Sequence, residues 1–235
     1  VQQQDPNLTR FSPAPGSAPA LTSADAYHRR DAETGGYALS KVVADISVSL
    51  DGFATGPDPD IEHGLGRGGE LLHAWARRPT DIDARLLETA TAATGALVMG
   101  RRTFQVVDGP YGWSETRGYG ARGPHRTPPV YVVTHEPPAT VRLTGRYTFV
   151  TGGLIEAVTR ARAAAGNADT VIMGGAATIR QAVDGGLLDE LRLHLAPILL
   201  GSGTPLFAHA RPCQWEPSEV HFSPLATHLT YHPLT

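Results

Sequence analysis

Two stretches of this chain carry the same constraint: a short apolar run reaches a glycine turn and a helical pattern begins at once. At residues 96–104 the run ALVM meets Gly100, Arg101, Arg102 and Thr103. At residues 170–186 the run TVIM meets Gly174 and Gly175, after which Ile179, Ala182 and Val183 recur at helical spacing. Short apolar strands that pass straight into helical patterns point to an α/β domain. A backbone that turns straight into a helix leaves its first amides without intrahelical acceptors, and with the helix dipole these amides form an anion site. Arg101 and Arg102 add forked cationic donors, and the Thr103 hydroxyl can cap the helix or meet an oxygen. A plainer reading also fits: glycines needed for close packing and arginines solvated at the surface. Two such turns in one α/β domain suit a dinucleotide, which presents phosphates in two places.

The rest of the chain fits around those turns. Residues 1–40, rich in Gln, Pro, Ala, Ser and Gly, predict a flexible tail or a segment pinned on a partner, and residues 41–235 the folded domain. KVVADISVSL at 41–50 predicts a central strand, in which Asp45 must be paired, protonated or open to a cleft. The GLGRGG segment at 64–69 formally fits G-x-G-x-x-G, but no strand leads into it, so it reads as a loop over a cleft. ELLHAWARR at 70–78 predicts a short helix with Leu71, Leu72 and Trp75 on one face, and residues 81–93 a second helix. The glycine- and aromatic-rich loop at 108–125 brings Tyr111 and Trp113. Strands follow at 129–134 and 147–151, and an amphipathic helix at 153–166 buries Leu154, Ala157, Val158 and Ala161. Residues 188–200 alternate until Ala196-Pro197, which predicts a kink or an edge, and residues 219–222 and 227–231 predict a closing hairpin.

Composition removes several function classes. A net charge of −3 with mixed signs gives no footprint for nucleic acid or an anionic membrane. Cys213 is the only cysteine, so neither an intramolecular disulfide nor a cysteine zinc cluster can form, which suits a reducing cytoplasm. The ten histidines show no i, i+4 pair with a glutamate between, so no metal is expected. No serine lies in G-x-S-x-G, so the hydrolase elbow is missing.

DISVSLDGF, VMGRRTF, PVYVVT, VIMGGAATIRQAVDGGLLDEL and LHLAPILLGSGTPLF occur in an order that resembles the dihydrofolate-reductase-like family that includes the reductase domain of riboflavin biosynthesis. The resemblance runs from Lys41 to the C-terminus and is strongest to stand-alone bacterial members. It implies a three-layer α/β fold with a mixed, mostly parallel central sheet, flanking helices and a C-terminal antiparallel hairpin, often assembled as a homodimer. It also implies NADPH as cofactor: Gly100, Arg101, Arg102 and Thr103 on the adenosine side with the arginines at the 2′-phosphate, Thr134 and His135 beside the adenine ribose, and Gly174, Gly175, Ala176, Ala177 and Thr178 at the pyrophosphate. Ser47, Ala54 and Thr55 would lie near the nicotinamide, and Asp51, Trp75, Tyr111 and Trp113 toward a flat substrate.

Dihydrofolate reductases place a carboxylate on the helix before the VMGR-like strand. Glu70 is the positional candidate for that proton source, with Asp45 and ordered water as competitors. The basic and serine-containing substrate segment of the riboflavin reductases has no recognisable counterpart after SLDG. The expected activity is hydride transfer to a C=N, C=O or activated C=C bond of a small pterin-, pyrimidine- or natural-product-like heterocycle. The alternative is a non-catalytic NADP(H)-binding or assembly protein on the same fold.

Overall fold

The computed structural model describes residues 40–119 and 127–234. The expected tail, and residues 120–125 of the glycine- and aromatic-rich loop, lie outside the described residues. Along the chain come β1 (Val42–Ser49), the short β2 (Phe53–Thr55), a 3-10 segment (Gly69–His73) running into the one-turn α1 (Ala74–Arg77), and α2 (Asp81–Ala93). Next are β3 (Thr94–Gly100), α3 (Arg101–Val107), β4 (Val130–Val133), β5 (Tyr147–Val150), α4 (Leu154–Ala165), β6 (Asp169–Ile172) and α5 (Ala176–Asp184). The chain closes with β7 (Glu190–Ala196), β8 (Thr204–Pro205), β9 (Trp215–Phe222) and β10 (Thr227–Pro233).

Eight strands form one sheet in the order β5-β4-β3-β6-β1-β7-β10-β9. The six strands from β5 to β7 are parallel, and β10 runs antiparallel to both β7 and β9. The apolar runs ending at Gly100 and Gly174 are therefore neighbours, since β3 pairs with β6. β2 and β8 make a separate two-stranded sheet beside the end of β1.

Alternation along the strands sends side chains to two covered faces. On one face Val42, Ala44 and Val48 pack with Leu154, Ala157, Val158 and Ala161 of α4 and Ile179 and Ala182 of α5. On the other, Val43, Leu97, Met99 and Val171 pack with Phe104 and Val107 of α3. This is the expected three-layer arrangement. The four buried residues of α4 are those its periodicity selected.

Two local expectations need correction. The 70–78 helix is 3-10 for its first part, and three residues per turn place Leu72 and Trp75 on one line; both are buried while Leu71 is 47% exposed. Pro197 ends β7 rather than kinking it, and β7 is no edge, because it lies between β1 and β10. The ladder stops at Ala196, so the missing proline N–H costs it nothing. The 64–69 loop lies against the chain after β2: the Gly56 amide donates to the Leu65 carbonyl at 2.7 Å, and Gly66 and Gly68 take positive φ.

Small residues set how closely α4 approaches β3 and β4, because Ala157 and Ala161 have no exposed surface. Ala161→Leu adds methylenes to a filled space, and chemical denaturation should show a loss of about 1–3 kcal/mol. An unchanged midpoint would mean that this interface has slack.

Candidate active site

The C-terminal ends of β3, β6 and β4 form one rim. At its centre Gly174 (φ 143°) and Gly175 (φ 83°) turn the chain from β6 into α5. A Cβ placed on Gly175 would lie 3.1 Å from Thr103 Oγ1 and 3.2 Å from Thr178 Oγ1, so two hydroxyls converge on this bare backbone. A Cβ on Gly100 would collide with Thr178 Oγ1, which is why the two glycine turns can sit side by side. Ala176 and Ala177 open α5, where a helix supplies no acceptor for its own amides. Arg101 Nη1 donates to the Glu136 carbonyl at 3.0 Å, and Thr134 Oγ1 donates to the same oxygen at 2.7 Å. These bonds tie the start of α3 to the segment after β4 that holds His135. Arg102 and His135 are exposed.

Next to this rim, on the face covered by α2 and α3, ionisable side chains are buried together. Asp45, only 8% exposed, accepts from Tyr119 Oη at 2.8 Å on Oδ2 and lies 3.0 Å from His194 Nε2 through Oδ1. His194 Nδ1 lies 2.7 Å from His228 Nδ1, and His228 Nε2 lies 2.8 Å from Asp83 Oδ1. Asp83 Oδ2 takes the Thr80 amide at 2.8 Å and the Thr80 hydroxyl at 2.7 Å, capping α2. Trp75 Nε1 donates to Ser47 Oγ at 2.9 Å, and its ring lies 4.1 Å from that of His194. The register explains the gathering: Asp45 pairs with Arg192, Ser47 with His194, and His194 with His228.

Burial alone would raise both carboxyls. For Asp45 the charge and hydrogen bond of His194, with the Tyr119 hydroxyl and Arg192, outweigh it and hold the group below the usual carboxylate range. For Asp83 the Thr80 donors, Ser223 and His228 do the same. Burial, and the Asp45 charge behind it, push the Tyr119 phenol well above its ordinary value. Burial lowers His73 to about 4, with Arg77 and His194 adding to the effect, and its buried Nδ1 has no partner. Arg192 is held between Glu190 (2.5 Å) and Asp169 (3.9 Å), and Glu190 also meets Lys41 at 2.8 Å.

A cavity of about 430 Å³ opens against this wall, with Asp45, Trp75, Leu87, Tyr119, Arg192 and His194 among its lining residues. That is room for a small ligand, since such sites span about 300–1,000 Å³. A hollow of about 600 Å³ beside α2, lined by Arg85, Glu88 and Ala92, gathers no comparable polar groups.

Of the residues picked from the sequence, the structure brings Asp45, Ser47 and Trp75 into this wall, and Gly100, Thr103, Gly174, Gly175 and Thr178 into the rim. Glu70 is exposed in the 3-10 segment and is not part of the wall. The buried carboxylate on the helix before β3 is Asp83. Asp51 accepts from the Ser49 hydroxyl (2.5 Å) and from the Gly201 and Leu200 amides (2.7 and 3.1 Å), which clamps the loop after β7 to the turn after β1. Ala54 belongs to the apolar core, and Thr55 Oγ1 bonds Thr204 Oγ1 at 2.9 Å. Tyr111 is 77% exposed, and Trp113 lies under the Arg146 guanidinium at 4.7 Å. Sequence reasoning missed Tyr119, His194, His228, Asp83 and Arg192. The available signal was Asp45 itself, whose burial demands partners, together with the polar positions 190, 192 and 194 that alternate on β7.

His73 gives a pH test. Its folded pKa lies below the unfolded value of about 6.5, so the unfolded chain binds the extra proton between about pH 6.5 and 4 and stability falls as the pH drops through that window. Chemical denaturation of His73→Phe across this range should show a shallower loss, by up to about 1.4 kcal/mol per pH unit. An identical slope would mean that His73 protonates freely in the fold.

No relative among curated proteins matches the sequence significantly. Among solved structures, a pyrimidine reductase-like protein from Corynebacterium diphtheriae is similar over 83% of this chain and 92% of its own, with 18% identity and a TM-score of 0.54. A diaminohydroxyphosphoribosylaminopyrimidine deaminase/5-amino-6-(5-phosphoribosylamino)uracil reductase from Thermotoga maritima gives 15% identity and a TM-score of 0.53 over 83% of this chain and 57% of that one. A dihydrofolate reductase from Enterococcus faecalis, solved with NADP(H), gives 16% and 0.51 over 84% and 99%. These likenesses establish the fold. The model of the RibD C-terminal domain matches residues 40–225, and with the motifs and the fold it places this chain in that family.

Proposed function

We propose that the protein is an NADPH-dependent reductase that adds a hydride to a C=N, C=O or activated C=C bond of a small, flat heterocycle of pyrimidine or pterin type. Family membership supports reductase chemistry, and one juxtaposition carries the reading. β1 and β6 are adjacent with Ala44 opposite Ile172, so Asp45 stands one residue beyond that pair and Gly174 two residues beyond it. With strands about 4.8 Å apart and about 3.3 Å per residue, the backbones of Asp45 and Gly174 come within about 6 Å of each other.

The residues present fit the cofactor. Gly174 and Gly175, with the first amides of α5 and the Thr103 and Thr178 hydroxyls, would take the pyrophosphate. Arg101, braced on the Glu136 carbonyl, and the exposed Arg102 would meet a 2′-phosphate, with Thr134 and His135 beside the adenine ribose. The cofactor supplies a hydride, and the chain supplies position, exclusion of water and a proton. Trp75 and Tyr119 wall the cavity for a planar ring, and Asp45 is the carboxylate placed to pass a proton to the group being reduced.

Titrating the protein with NADPH and NADH by nicotinamide fluorescence tests the reading. NADPH should bind more tightly, and the Arg101→Ala, Arg102→Ala double variant should lose about 10–100-fold in NADPH affinity with little change for NADH, as expected for charged hydrogen bonds. Binding of neither nucleotide would overturn the reading.

A further inference from the structure

The contact between the two cavity-wall imidazoles fixes how many protons they hold. His194 and His228 meet Nδ1 to Nδ1 at 2.7 Å, and their Nε2 atoms meet Asp45 at 3.0 Å and Asp83 at 2.8 Å. Turning either ring over would present carbon to both of its partners. Each of the three contacts needs one N–H, because carboxylates and imidazole lone pairs only accept. Two neutral imidazoles carry two N–H groups. The satisfied chain carries three, which is one imidazolium and one imidazole between two carboxylates.

The surroundings place the charge on His194. Its ring lies against Trp75 with centroids 4.1 Å apart, a contact that favours a cation, and Asp45 stands at its other end. Burial and the neighbouring His194 hold His228 below the usual histidine range despite Asp83. Asp83 already takes two donors from Thr80 and needs from His228 only the Nε2–H, which leaves Nδ1 of that ring as an acceptor. The other groups facing the pair do not supply the missing charge. Arg192 is paired with Glu190 and Asp169 and reaches Asp45 only as a more distant charge, Lys41 is paired with Glu190, and His73 is neutral; His221 on β9 faces Glu219 at 3.3 Å.

We propose that His194 and His228 share one extra proton and that this pair is the proton store of the reduction. His194 is the acid and Asp45 the group that passes its proton into the cavity; His228 and Asp83 are positioning residues that keep His194 charged. The proposal rests on the reductase reading. In each cycle the substrate carbon gains a hydride from a dihydronicotinamide, which is oxidised, and the partner atom gains one proton. That proton leaves His194 Nε2 through Asp45, His194 becomes neutral, and cavity water returns the proton after product leaves.

NMR of the imidazole nitrogens in the nucleotide-free protein tests the proton count directly. At neutral pH three of the four ring nitrogens of the pair should carry protons, and in His228→Leu only one of the two His194 nitrogens should. Turnover should fall about 10²–10⁴-fold in His194→Gln with KM little changed. In His228→Leu the fall should be smaller, and recovered as the pH is lowered. Two neutral imidazoles in the wild type overturn the inference even if the variants fail to fold, and leave the reductase reading standing if NADPH is still oxidised. Absence of NADPH binding overturns that reading and, with it, the role given to the pair.

Discussion

Asp45 is a carboxylate in a strand with neighbours on both sides, and its burial dictates much of what surrounds it. An ionised carboxylate out of water must be met by donors or opposite charge. Tyr119 and His194 meet it; His194 then needs His228, and His228 needs Asp83, which ends the sequence by capping α2 through Thr80. Five parts of the molecule, namely β1, the 118–119 loop, β7, β10 and α2, are joined through one line of polar contacts. Such a line is weak evidence for stability, because well-packed apolar residues of similar volume often serve as well or better. It also lines a cavity, which stability alone does not require.

The glycine rim answers a different constraint. Gly100 lets β3 turn into α3 against Thr178, and Gly175 leaves its backbone bare beneath two threonine hydroxyls. The parallel sheet brings the two turns to one edge, and the β1–β6 pairing sets that edge beside Asp45. Cradle and acid wall thus come from the same register. A slip of one residue in β1 would turn Asp45 and Ser47 to the opposite face, into the α4 and α5 core.

The rim was readable in the sequence because its information is local: strand, glycine and helix start follow one another within a few residues. The amphipathic α4 and the closing hairpin were legible for the same reason. The wall was not, apart from Asp45. His194 and His228 are brought together by the β7–β10 register, and Asp83 reaches His228 from a helix 145 residues earlier in the chain. In sequence Asp83 reads as an ordinary first-turn acid, and Glu70 drew attention only through alignment by position. Asp51 looked functional in its motif, whereas its carboxylate is committed to the Ser49 hydroxyl and two loop amides. Local patterns encode the glycine turns at the strand ends; side-chain chemistry assembled across strands becomes visible only with the register.

The central claim is that cradle and wall form one site. A crystal structure of the protein with NADP+ tests it most directly. The account predicts the pyrophosphate against Gly174–Thr178 and the nicotinamide end opening into the cavity beside Asp45 and His194. A nucleotide bound elsewhere, or a nicotinamide end walled off from that cavity, would contradict it.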